Sequence, residues 1–104
     1  MSWAKDYITK LKEGQTVKFR PRGKSMTGLI NDGQLVTVVP LKETDRLEIG
    51  TIVLCQIKSV YLHKVLDRSI QNNVSMYQIG NNKGFINGWT PRSKIYGICT
   101  KVED

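Results

Sequence analysis

The chain has 104 residues, of which 39% are hydrophobic and 24% charged. That is the length of one domain with apolar content for one modest core, which excludes a domain pair, a solenoid, a large barrel and disorder over most of the length. Sixteen Lys and Arg against nine Asp and Glu leave a net charge of +7, an excess that attracts anionic partners such as nucleic acid, although the positives are scattered and solubility alone accounts for them.

The start, Met1-Ser2-Trp3-Ala4-Lys5-Asp6, lacks the apolar run of a signal peptide, and no stretch approaches the roughly 18–20 apolar residues that span a bilayer. The expectation is a soluble cytoplasmic protein with no membrane anchor. Residues 2–13 read as an amphipathic helix, with Ser2 as N-cap, Trp3, Tyr7, Ile8 and Leu11 on one face, and Gly14 as the stop. Short strands follow: 15–20 around Val17 and Phe19, 35–39 ending at Pro40, 51–57, 60–66, 74–79 and 95–102. Turn residues separate them at Asn31-Asp32-Gly33, Ile49-Gly50, Lys58-Ser59 and Asn72-Asn73, and a loop is read over 80–92. Six short strands after one helix predict a mainly β fold, with 1–14 as the helix and 15–104 as the body of a single domain.

Cys55 and Cys99 lie 44 residues apart, each in an apolar run, and are expected as two reduced, buried, unpaired thiols. There is no CxxC pair and only one His, so neither a metal site nor a cofactor is expected.

That His, His63, sits within Val60-Tyr61-Leu62-His63-Lys64-Val65-Leu66, where alternation puts Tyr61, His63 and Val65 on one face and Lys64 on the other. Ser25 stands in Gly23-Lys24-Ser25-Met26, where a glycine two residues before a serine leaves room for a substrate to approach the backbone. Taken singly, a strand His is a structural residue and a loop Ser a polar filler. In order, however, the G-x-S-M of 23–26, the L-I-x-D-G-x-L-V of 29–36, the I-G-T-I-V of 49–53 and the Y-L-H-K-V-L of 61–66 resemble the LexA/UmuD and type I signal peptidase superfamily over about residues 17–102.

The resemblance implies a small domain of coiled, bent sheets with the helix packed outside, in which Ser25 is the nucleophile and His63, 38 residues on, stands where the family has its general base. A His there is similar to the archaeal and endoplasmic-reticulum signal peptidases. Their G-D-N-N loop corresponds to Gly80-Asn81-Asn82-Lys83, with Asn81 in place of the motif Asp. Asn81, Asn82 and Asp67 are the candidates for the third residue that fixes the imidazole. Asp32 matches a turn residue of the family, and Lys64 is a second, weaker candidate base. Neutral His63 is available as a base at pH 7, so the serine hydroxyl has an activator, and the backbone N–H groups of Gly23, Lys24 and Ser25 would hold the oxyanion. Met26, Phe85 and Trp89 are candidates for lining a substrate groove.

Few residues precede the first strand, which argues against a helix-turn-helix repressor. No Ala-Gly or Cys-Gly dipeptide precedes Ser25, which argues against self-cleavage. The expected function is a stand-alone serine endopeptidase acting on an extended peptide or protein substrate. The alternative is an inactive peptidase-like fold that binds a regulatory protein or nucleic acid. The first requires Ser25 Oγ and a His63 ring nitrogen within about 4 Å.

Overall fold

The computed structural model describes residues 3–104, and the capping role read for Ser2 lies outside them. Helix α1 spans Lys5–Lys12, with Ala4 and Leu11 buried and Tyr7 and Ile8 packed against the same cluster. Gly14, at φ +84°, ends it. The Gly14 N–H reaches Leu11 O at 3.0 Å and the Gln15 N–H reaches Lys10 O at 2.9 Å, the paired bonds of a glycine-terminated helix. Tyr7 stacks on Phe19 with centroids 4.5 Å apart and Trp3 tilts against the same ring at 5.6 Å, so aromatic contacts dock the helix on the first strand.

The fold is mainly β. Strands β1 Val17–Phe19, β2 Leu35–Pro40, β3 Ile52–Gln56, β4 Val60–Gln71, β5 Val74–Gly80, β6 Ile86–Pro91 and β7 Ile95–Glu103 form one antiparallel sheet in the order β1-β2-β7-β3-β4-β5-β6. Successive strand residues face opposite sides, and Val53 and Leu54 accordingly belong to different apolar clusters. Leu54 and its cross-strand partner Leu62 join Val36, Val38 and the helix, whereas Val53, Cys55, Val65 and Ile79 pack on the other side. Bulges interrupt the ladders at Thr37/Val38, Leu54/Cys55, Val65/Asp67 and Ile79/Gly80, and each one bends and twists its strand.

The structure departs from the sequence reading in three places. The stretch read as a loop over 80–92 contains β6, hydrogen-bonded to β5. Strand β4 runs on past residue 66 to Gln71 and returns through Asn72-Asn73, both at positive φ (52° and 64°), the conformation a two-residue hairpin turn requires. Cys55 is buried but Cys99 is only half-buried, and both are free. Among the described residues no helix is long and apolar enough to cross a membrane, and no group of His, Cys, Asp and Glu is arranged to hold a metal.

Candidate active site

The loop bearing Ser25 is clamped from both ends. On its N-terminal side Gly23, at φ +109°, donates its N–H to Asp32 Oδ1 at 2.8 Å, and Arg20 Nη1 donates to Gly33 O at 2.8 Å. The Asn31-Asp32-Gly33 turn thus braces residues 20–23. After Ser25 the chain makes one helical turn, closed by Ile30 N–H to Met26 O at 2.7 Å. The buried Met26 and Ile30 anchor that turn in the core and leave the serine exposed. Asn82 ties the loop to the β5–β6 turn, donating its backbone N–H to Ser25 O at 2.9 Å and its side-chain amide to Thr27 O at 2.8 Å.

His63 is buried on β4 opposite Val53. Its Nε2 lies 3.1 Å from Ser25 Oγ, and its Nδ1 lies 2.6 Å from Asn87 Oδ1. An amide oxygen only accepts hydrogen bonds, so Nδ1 carries the proton and Nε2 presents its lone pair to the Ser25 hydroxyl. The Tyr61 ring stacks on the imidazole with centroids 5.0 Å apart. Burial pushes the His63 pKa below its ordinary 6.5, with the Asn87 hydrogen bond opposing in part. The ring is therefore neutral at pH 7, the form that can take a proton.

Asn87 reaches the ring because of a bulge. Ile79 pairs with Gly88 and Gly80 pairs with Ile86, so Asn87 is the extra residue between two ladder positions and its side chain is re-aimed. Gly88 follows at φ +139°, a conformation glycine adopts readily. The sequence signal for this was Asn87-Gly88 within Ile86-x-x-Trp89-Thr90, a strand pattern broken by a bulge dipeptide.

The residues expected in this third position do other work. Asn81 Oδ1 accepts from the N–H groups of Lys83 at 2.8 Å and Phe85 at 3.0 Å, closing the β5–β6 turn. Asp67 lies farther along β4 and accepts from the Arg68 N–H at 2.8 Å. Asn82 Oδ1 accepts from Lys64 Nζ at 2.9 Å, so that ammonium is bonded to the loop brace and not to Ser25. Of the expected oxyanion donors, Gly23 N–H is taken by Asp32. The N–H groups of Lys24 and Ser25 donate to no acceptor among the described residues.

A groove of about 500 Å³ opens beside Ser25 and His63, between the helix and β1 on one side and residues 60–63 of β4 on the other. Met26 lines it. Phe85, 62% exposed at the β5–β6 turn, and Trp89, half-buried on β6, are not among its lining residues, because the turn expected as a groove wall instead carries the Asn87 strand. Strand β5 pairs with β4 only from Lys64 onward, which leaves residues 60–63, among the described residues, with a free edge along the groove.

The chain matches no family model, no curated protein and no solved structure.

Proposed function

We propose that this chain is a serine hydrolase that cleaves an extended peptide, with Ser25 as nucleophile, His63 as general base and Asn87 as the residue that orients the imidazole. The observation that carries the reading is the continuous line Ser25 Oγ, His63 Nε2, His63 Nδ1 and Asn87 Oδ1, with separations of 3.1 Å and 2.6 Å, at an open groove beside an unpaired strand edge. The sequence resemblance to the LexA/UmuD and signal peptidase superfamily supports the roles of Ser25 and His63, but it points to Asn81 and not to Asn87 as the third residue.

In this mechanism a peptide adds to the free edge of β4, where main-chain hydrogen bonds align its scissile carbonyl over Ser25. His63 Nε2 takes the hydroxyl proton as Oγ bonds to the carbonyl carbon, and the oxyanion accepts from the N–H groups of Ser25 and Lys24. The imidazolium returns the proton to the leaving amine, and water then hydrolyses the acyl-enzyme with His63 again as base. Asn87 holds the productive tautomer, but an amide stabilises the imidazolium less than a carboxylate does. The two free thiols support a reducing, cytoplasmic setting.

A fluorophosphonate probe followed by peptide mapping tests the proposal. Modification at Ser25 that is abolished in His63→Ala is the expected result. An unmodified chain that still binds peptides would favour an interaction module over a hydrolase.

A further inference from the structure

The groove has a composition of its own. Trp3, Tyr7 and Phe19 form an aromatic wall, Met26 lies among the lining residues, and Arg20 and Arg22 reach it from the β1 end. Among the described residues no Asp or Glu lines it. Asp32 accepts from the Gly23 N–H and pairs with Arg22 at 3.9 Å between exposed side chains, and Arg20 Nη1 donates to Gly33 O at 2.8 Å; each guanidinium has further N–H donors beyond these contacts. The volume of about 500 Å³ is that of a pocket for a drug-sized ligand. A methyl group would leave most of it filled with water.

From this we infer that the groove selects an acidic peptide carrying a bulky apolar or aromatic side chain, seated against Trp3, Tyr7 and Phe19, with a neighbouring carboxylate meeting Arg20 and Arg22. The inference rests on the peptide-hydrolase reading and adds to it the class of substrate. Three features favour this occupant. Aromatic rings gain from tilted and stacked contacts with another ring. A guanidinium pairs with a carboxylate through two parallel hydrogen bonds. The net charge of +7 draws acidic segments toward the site. A neutral peptide with small side chains would use neither the aromatic wall nor the arginines.

Binding is measured on the full chain carrying Ser25→Ala, which removes turnover and keeps the groove, by anisotropy of fluorescein-labelled peptides. The reference is an extended peptide with one Phe flanked by Glu. Replacing its Phe by Ala is expected to weaken binding at least about tenfold, since the burial of a large side chain is lost. Replacing its Glu residues by Lys is expected to weaken it further. Arg22→Ala, which keeps the brace from Arg20 to Gly33 O, is expected to cost about threefold and to reduce the salt dependence. Trp3→Ser, at a residue 54% exposed, is expected to weaken the Phe peptide and leave the Ala peptide unchanged, with circular dichroism verifying the fold.

Equal affinity for the Glu and Lys peptides would overturn the inference. So would displacement of the Glu–Phe peptide by a short single-stranded oligodeoxynucleotide at a lower concentration than the unlabelled peptide itself requires. The two readings can fail separately. If the Glu–Phe peptide binds Ser25→Ala but wild type leaves it intact, the groove assignment stands and the hydrolase reading falls. If wild type cleaves neutral small-residue peptides while the Glu–Phe peptide neither binds nor is cut, the hydrolase reading stands and the groove assignment falls.

Discussion

At the scale of single residues the proposed hydrolase reading rests on an exposed serine against a buried imidazole. Ser25 Oγ can meet a substrate from solvent while His63, 7% exposed, is held by its neighbours in one tautomer. On the proposed hydrolase reading, removal of either member disables the pair, because nucleophile and base act as one unit. Ser25→Ala and His63→Ala are each expected to cut kcat/KM about 1,000-fold or more, with Ser25→Ala leaving the melting temperature unchanged because an exposed loop hydroxyl fills no core volume. Asn87→Asp puts a carboxylate on Nδ1 and should raise the His63 pKa, moving the acidic limb of the rate profile to higher pH. Asn81→Asp keeps the acceptor that closes the turn and should move neither rate nor profile. A shifted profile from Asn81→Asp, with none from Asn87→Asp, would reverse the assignment of the third residue.

The depressed His63 pKa also links pH to stability. The unfolded ring titrates near 6.5 and the folded ring below it. Between those values the unfolded chain binds more protons than the folded one. Stability is therefore untouched above pH 6.5 and is lost as pH falls from there toward the folded pKa, beyond which this contribution levels off. His63→Gln should abolish that component in urea titrations at a series of pH values. On the proposed mechanism activity depends on the neutral ring and should hold across pH 7, declining only below 6.5.

At the scale of elements, the bulge between β5 and β6 decides whether the site exists. A Cβ on Gly80 would meet Phe85 O at 2.5 Å and Leu66 Cδ1 at 2.4 Å. Leu66 can shift, but a backbone carbonyl within the same hairpin cannot move without disturbing the bulge that aims Asn87. Gly80→Ala is expected to destabilise the fold by about 2 kcal/mol and to reduce kcat/KM as well, checked by urea denaturation and by rates at a temperature where the variant is fully folded. This hairpin is also where the sequence was least legible. The helix and most strands declared themselves through periodicity and turn residues, and Ser25 and His63 through motif order. Strand β6 reads Ile86-Asn87-Gly88-Trp89-Thr90-Pro91, whose Asn-Gly and terminal Pro carry turn character. Its pairing with β5 overrides that local preference. Asn87 is hidden for the same reason, since its Asn-Gly dipeptide reads as a turn until the register of both strands shows it to be a bulge. The motif match that points to Asn81 carries no register, and Asp67, the other candidate carboxylate, lies farther along β4.

At the scale of the molecule, one sheet separates two apolar clusters, and the third strand links them. Strand β3 is flanked by β7 and β4, with Leu54 turned to one cluster and Val53 and Cys55 to the other. Exposing Cys55 therefore requires opening both ladders and at least one core, so its accessibility reports global unfolding and not local fraying. Burial pushes its thiol pKa up to about 12, and because the thiolate is the reacting form, the folded state is protected twice, by packing and by protonation. Cys99, half-buried on β7 and bonded to Lys101 O at 3.6 Å, also has a raised pKa but lies nearer solvent. A disulfide-exchange reagent at pH 8 should thus modify one thiol per chain, Cys99, under native conditions. Modification of Cys55 should rise with urea along the same curve as far-ultraviolet circular dichroism and tryptophan fluorescence, which report from the sheet and from Trp3 and Trp89. Coincidence of the three curves is the signature of a two-state domain. Labelling of Cys55 at urea concentrations below the circular dichroism transition would instead mean that β3 detaches while the rest of the sheet persists, and that the two clusters are not one cooperative unit.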